Sequence, residues 1–409
     1  MSFYKDLRLK YKNHQLKVAL KKANKVFDFS KIAYSKKNVL IIDSIIPEFD
    51  KDSGSRRLHK IIQILIKNNF GVFLVADKKE YKYKTEYVNH YKNLGVVVYE
   101  PSIDQNGNFI TGESFILNIL EKIDFAWLHR ADVFKDYVDL VSANKSIKLI
   151  YDMVDFHYLR LEREWEKSND KKIKKEADKY KYIEVENCKK ADKIITISDA
   201  DKLALNEFYS NDDKMLTISN VHQHKGIKQK LLEQRSGLFF VGGFSHKPNE
   251  DAVSFLYHDI MPLVWKENKN IKVTIVGSYP TKEMLALNSE RFSVLGYVED
   301  ISHYFNISRV FVAPLRFGAG VKGKIGQSLE FGLPVITTEV GAEGFDFGVH
   351  ASALIDNTAQ GMADKILKLY EDDALWMKVS DASKDILEPF SVDNIEANVQ
   401  KVLNDLSNS

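Results

Sequence analysis

The sequence predicts an α/β protein made of two doubly wound parallel sheets in tandem. Three observations predict it: short apolar runs rich in β-branched residues, helix-spaced segments between them, and a restart of that alternation after a polar stretch at residues 223–236. A strand that reads as an unbroken apolar run is covered on both faces, which is the condition of a parallel sheet between layers of helices. A chain of 409 residues is also long for one domain, so two are expected.

The elements follow in order. Asn38-Val39-Leu40-Ile41-Ile42-Asp43 is too short for a helix and opens the first sheet. Leu58, Ile61, Ile62 and Leu65 then recur at helical spacing. Further strands are expected at 71–75, 96–99, 125–128, 148–151 and 194–197. The second series begins at 238–241, continues through a helix marked by Ala252, Val253, Leu256, Ile260 and Leu263, and adds strands at 273–276, 310–313 and 335–338. The cleft between two such domains is the expected ligand site, because crevices form at the carboxyl ends of parallel strands.

Composition excludes several classes. A formal net charge of +2 argues against bulk nucleic-acid binding. A single cysteine, Cys188, forbids an intrachain disulfide and fits a reducing compartment. No apolar run reaches membrane-spanning length and the start lacks a signal-peptide layout, so a cytoplasmic protein is expected. Residues 1–37 differ in character: eleven Lys/Arg stand against two Asp, interleaved with Leu7, Leu16, Leu20, Val26 and Phe27. Such a segment reads as a basic amphipathic helix, lying either on anionic lipid or on its own domain with a solvated basic face.

The densest chemical signal is PLRFGAGVKGKIGQSLEFGLPVITT, residues 314–338. It joins a strand end to a helix start through Gly318, Gly320 and Gly323, with Lys322 and Lys324 beside them. Free N–H groups and the positive end of a helix dipole would receive a phosphate there, and Arg316 could hold one bidentately. An ordinary βα turn with solvated lysines is the plainer alternative. Ser53-Gly54-Ser55-Arg56-Arg57, between the first strand and its helix, offers the same choice: an anion or acceptor held by Ser53, Ser55 and Arg57, or a helix cap made by a serine. His157 follows Tyr151-Asp152-Met153-Val154-Asp155 at a strand end, where Asp155 could orient its ring, while Arg160 and Arg163 read as solvated or paired with Glu162 and Glu164.

Together these stretches resemble family 4 glycosyltransferases, retaining enzymes of the GT-B fold. The resemblance rests on FVGGFSHKPNEDAVSFL (240–256), VTIVGSYP (273–280), LGYVEDI (295–301), residues 313–345, PEFDKDSGSRR (47–57) and YDMVDFHYLRLERE (151–164). It implies an acceptor-side domain at 38–225, a nucleotide-sugar domain at 235–385, and a helix within 386–409 that returns to the first domain. It also implies that Gly318, Gly320 and Lys324 bind the donor diphosphate, with Arg316, Lys322 and Gly54 nearby. His157 would contact the transferred sugar, Gln327 the ribose, and Glu343 the sugar hydroxyls or its own loop. Two departures are plain. The family's Glu-x7-Glu pair falls on Ala319 and Gln327, and the arginine after the first strand of the second domain is absent, leaving Lys247 as its stand-in. The implied activity is transfer from a nucleotide-diphosphate sugar to a glycan or lipid-linked acceptor, without cofactor, and with lysines and helix dipole in place of a metal. A degenerate scaffold acting as an assembly subunit, and a nucleotide-sugar epimerase, are the alternatives.

Overall fold

A computed structural model describes residues 2–77, 85–226 and 232–407; of the polar stretch between the two series, residues 227–231 lie outside the described residues. In chain order the strands are β1 (Asn38–Asp43), β2 (Gly71–Ala76), β3 (Val97–Val98), β4 (Ser102–Ile103), β5 (Phe109–Ile110), β6 (Phe125–His129), β7 (Lys148–Asp152), β8 (Lys193–Thr196), β9 (Met215–Thr217), β10 (Leu238–Val241), β11 (Val273–Val276), β12 (Phe292–Val294), β13 (Val310–Ala313) and β14 (Val335–Thr337).

The first sheet runs β3-β2-β1-β6-β7-β8-β9 and the second β12-β11-β10-β13-β14, with every ladder parallel. Both orders are doubly wound, and each reverses direction beside its first strand, between β1 and β6 and between β10 and β13. All six residues of β1 are buried, as a central strand under two helical layers requires. Leu58, Ile61, Ile62 and Leu65 of the helix Ser53–Lys67 cover one face of it. The antiparallel pair β4–β5 and the edge strands β9 and β12 were not anticipated. Each is two or three residues long, too short for an alternation to register. Of the run at 96–99, only Val97 and Val98 join the ladder.

The helix Val392–Ser407 sets Ile395, Val399, Val402, Leu403 and Leu406 into the core of the first domain. Lys67–Glu396 and Lys193–Asp405 ion pairs hold it there. At the other end, a helix does form at Ser2–Lys22, but its apolar residues do not gather on one face. At about 100° per residue, Leu16 and Leu20 fall on one side and Tyr11 and Val18 on roughly the opposite one, which corrects the amphipathic expectation. Leu20 is buried, Val26 bridges to Ile103, and Phe27 and Phe29 pack on Phe115, so the segment's end docks on the first domain. No described helix is long and apolar enough to cross a membrane.

Candidate active site

The site is built where the two switch points face each other. After β13, the chain runs irregularly to the helix Gly323–Glu330. Gly318 (φ +133°) and Gly320 (φ +67°) occupy backbone conformations that side chains disfavour, which is why glycines stand there. The helix begins after Lys322 with no side-chain cap, so its first N–H groups are left for a ligand. Lys324 reaches under the turn of β10: its ammonium hydrogen-bonds Asn249 Oδ1 and lies 4.3 Å from the centre of the Phe240 ring. A Cβ on Gly242 would stand 2.7 Å from that nitrogen, so the glycine makes room for it. Among the described residues Lys324 meets no carboxylate; burial, with Lys322 adding like charge, brings its pKa down to about 7.

The first domain supplies the opposite wall. β7 ends at Asp152, and Val154 follows at φ +61°, a strained conformation for a β-branched residue. The helix His157–Ser168 starts just beyond. Glu184, wholly buried, accepts the N–H of His157 and of Tyr158 on its two oxygens, each at 3.0 Å. The His157 ring stacks on Tyr180 at 5.0 Å, with Nδ1 3.1 Å from the Asp155 carbonyl and 3.3 Å from Glu184 Oε1. Both neighbours of Nδ1 are acceptors, so Nδ1 carries the proton. Burial opposes a charged ring, but the hydrogen bond to Glu184 and the charges of Asp155 and Glu184 outweigh it, and the His157 pKa is raised.

Contacts across the cleft join the halves. Arg163 donates to the carbonyl of Gly318 at 2.8 Å and forks onto both oxygens of Glu343 at 2.7 and 2.9 Å. Lys322 donates to the Gly320 carbonyl at 2.5 Å and lies 3.4 Å from Glu343. A cavity of about 590 Å³ opens beside them, between the helix His157–Ser168, the loop carrying Phe317 and the short helix Glu339–Ala342.

Several expected residues stand elsewhere. Arg57 is fully buried and holds Asp152 at 2.9 and 3.0 Å and the Ile218 carbonyl at 2.8 Å, so it braces the first domain and faces no acceptor. Ser55 is buried and donates to Asp52, and Asp52, not a serine, caps the helix. Arg316 forks onto Asp251 at 2.6 and 2.9 Å over the Phe255 ring, with Lys167 on the same carboxylate, and so is spent away from the turn. Ser53 does face the turn, since a Cβ on Gly323 would meet its Oγ at 2.8 Å, and Gly54 lies near Arg130. Glu330 does not replace the missing carboxylate: it is buried among Arg56, His222 and Lys225 where the domains meet. Lys247 pairs with Glu250 at the surface, so Asn249 and Lys324 fill the space under the β10 turn.

Four residues of the site escaped the sequence reading: Arg163, Glu184, Asp201 and Asn249. Arg163, which the sequence reads as solvated or paired with Glu162 and Glu164, instead has a partner 180 residues away. Two Asp-x-Asp spellings, Asp50–Asp52 and Asp199–Asp201, have local explanations: Asp50 accepts from Tyr87, Asp52 caps a helix, and Asp199 accepts from Thr217. No cluster of three metal-ligating side chains occurs among the described residues.

Two doubly wound sheets facing one another at their switch points define the GT-B class, and the chain has that fold. Residues 235–372 match the family model described as glycosyl transferases group 1, so the resemblance to these enzymes is carried by the second domain. An uncharacterized 44.6 kDa protein in the cps region of Klebsiella pneumoniae is 25% identical over 209 residues, which cover 49% of this chain and 46% of that one. The chain thus spans about half the length of the curated relative it matches. Sucrose-phosphate synthase from Thermosynechococcus elongatus superposes with a TM-score of 0.65 at 12% identity, over 91% of this chain and 100% of that one. Anabaena HepE in complex with UDP-glucose gives 0.64 at 13% identity, over 90% and 99%. At such identities the likeness speaks for the fold.

Proposed function

We propose that the chain is a retaining glycosyltransferase. It moves a hexosyl or deoxyhexosyl group from a nucleotide-diphosphate sugar to a glycan or lipid-linked acceptor in surface polysaccharide synthesis, in the cytoplasm, without metal or cofactor. The observation that carries this reading is Lys324, a cation drawn into protein beneath an uncapped helix start with no carboxylate among the described residues to neutralise it. Such a site is completed by an anion. The cps-region setting of the Klebsiella relative and the UDP-glucose bound by HepE supply the substrate class by analogy.

In this reading the diphosphate lies on the N–H groups after Lys322, with Lys324 and Lys322 near its oxygens and Gly54 closing from the first domain. Gln327 hydrogen-bonds the ribose, and Glu343, held by Arg163, borders the sugar. The bond between the anomeric carbon and the diphosphate oxygen breaks, leaving negative charge on that oxygen and oxocarbenium character on the sugar. Lys324 and the turn stabilise the charge where it develops. His157 meets the sugar through Nε2, with Asp155 and Glu184 orienting its ring. The acceptor hydroxyl, entering beside Ser53, attacks from the departing face and its proton passes to the leaving diphosphate, which preserves anomeric configuration. Residues 1–37 contribute attraction to an anionic membrane surface through charge alone.

The test is nucleotide release from UDP-, GDP-, dTDP- and ADP-sugars, followed by mass spectrometry with EDTA or Mg²⁺, beside calorimetric binding. Release from one donor, insensitive to EDTA and lost in Lys324→Ala, is expected. Neither binding nor release with any donor would sink the reading and favour the assembly subunit.

A further inference from the structure

Asp201 has no role in the scheme above, yet it stands in the site. It lies in the helix Asp199–Asn206, 1% exposed; its Oδ2 accepts the Ser198 hydroxyl at 3.0 Å, and its Oδ1 has no hydrogen-bond partner among the described residues. Asp155 repeats the pattern, with Oδ2 bound by Arg160 Nε at 2.9 Å and a buried Oδ1 left unpartnered. Both carboxylates border the glycine turn. A Cβ on Gly320 would stand 3.9 Å from Asp201 Oδ2 and 4.0 Å from Asp155 Oδ1. Among the described residues no ion pair neutralises Asp201, and the nearby cations Lys322 and Arg163 are engaged by Glu343. Burial first, then the charge of Asp155, raises the Asp201 pKa to about 7.

A buried carboxyl oxygen without a donor costs stability, and a ligand hydroxyl is the group that relieves it. We propose that Asp155 and Asp201 form the subsite for hydroxyl groups of the transferred sugar, and that this sugar is neutral and not a uronic acid. The proposal rests on the glycosyl-transfer reading given above. A sugar carboxylate has no proton to donate to these acceptor oxygens, and Asp201, which has no cation of its own among the described residues, repels it wherever it is ionised. A hydroxyl meets none of that cost and can donate to either unpartnered oxygen.

The test compares nucleotide with nucleotide-sugar by calorimetry on the full chain: UDP, UDP-glucose, UDP-galactose, UDP-N-acetylglucosamine and UDP-glucuronic acid, with GDP/GDP-mannose and dTDP/dTDP-rhamnose alongside. Wild type is expected to bind one neutral nucleotide-sugar at least about tenfold more tightly than its bare nucleotide, and UDP-glucuronic acid no more tightly than UDP. Asp201→Ala should abolish that gain while leaving nucleotide affinity within about twofold, which also reports an intact fold; Asp201→Asn should restore part of it. The subsite is refuted, with the transferase reading intact, by any of three results. These are a gain that survives in Asp201→Ala, an equal loss for nucleotide and nucleotide-sugar, or UDP-glucuronic acid binding more tightly than every neutral donor. Absence of all nucleotide binding in wild type would instead remove the reading on which the subsite stands.

Discussion

The lowered pKa of Lys324 makes donor binding a proton-coupled event whose size can be worked out. In the free protein the ammonium titrates at about 7, because burial and Lys322 disfavour its charge. Against a diphosphate the charged form is the favoured one, so the bound pKa lies well above the free one. Binding therefore takes up a proton wherever free Lys324 is neutral. At pH 8 about nine in ten free molecules hold it neutral, so about 0.9 proton should enter per donor bound. At pH 6 the uptake should fall to about 0.1. Affinity should be flat on the acid side and fall about fifty-fold between pH 7 and pH 9. Calorimetry in buffers of differing ionisation enthalpy counts the protons directly. A nucleotide-sugar is the right probe, because its diphosphate has no ionisation of its own in this range. Asp201 also titrates at about 7, so Asp201→Asn is measured beside wild type to separate the two groups. Affinity independent of pH from 7 to 9, with no proton uptake at pH 8, would refute the argument.

Three further outcomes are expected. Arg57→Ala leaves Asp152 charged and buried without its cation, and should lower unfolding stability by about 3–5 kcal/mol in urea titration; a loss below about 1 kcal/mol would contradict the bracing role. Gly320→Ala forces a side chain into φ +67° and sets its Cβ 3.4 Å from Ile197, costing about 1–2 kcal/mol at the turn, so donor affinity should drop roughly five- to thirtyfold while the thermal midpoint changes little. Glu184→Gln removes the charge that helps hold the His157 pKa up, and proton NMR should show the ring titrating lower. Because the folded pKa is the raised one, the stabilisation is present below the ordinary histidine value and lost as pH rises through the folded value. The stability gap between wild type and variant should therefore be widest on the acid side of that titration, at about 1–3 kcal/mol, and narrow above it without closing, because the glutamine oxygen can accept only one of the two backbone N–H groups that the carboxylate holds.

The central strands were legible because burial on both faces writes them as apolar runs that survive without context. Their edges were not, since β9 and β12 are three residues each and are specified by the neighbour they pair with. In the site, the residues readable from sequence were those whose type serves the backbone: the glycines at positive φ and the lysine after them. Arg57 and Arg163 show the limit. Both are arginines in polar local sequence; one is buried against Asp152 and the other reaches Glu343 in the second domain. Nothing within a helical turn of either distinguishes them, because the deciding partner is fixed by tertiary packing. Asp201 was hidden in the same way, one acid among several until Gly320 is brought over it.

The helix Val392–Ser407 has a consequence for how the molecule is made. It follows the second domain in the sequence, yet it completes the core of the first domain, by way of Ile395, Val399, Val402, Leu403 and Leu406. During synthesis the first domain must therefore wait with an apolar strip uncovered while the whole second domain emerges and folds. At about 5–20 residues per second, the roughly 170 residues between β9 and that helix impose a delay on the order of ten to thirty seconds. The order of assembly is therefore second domain first, first domain sealed afterwards.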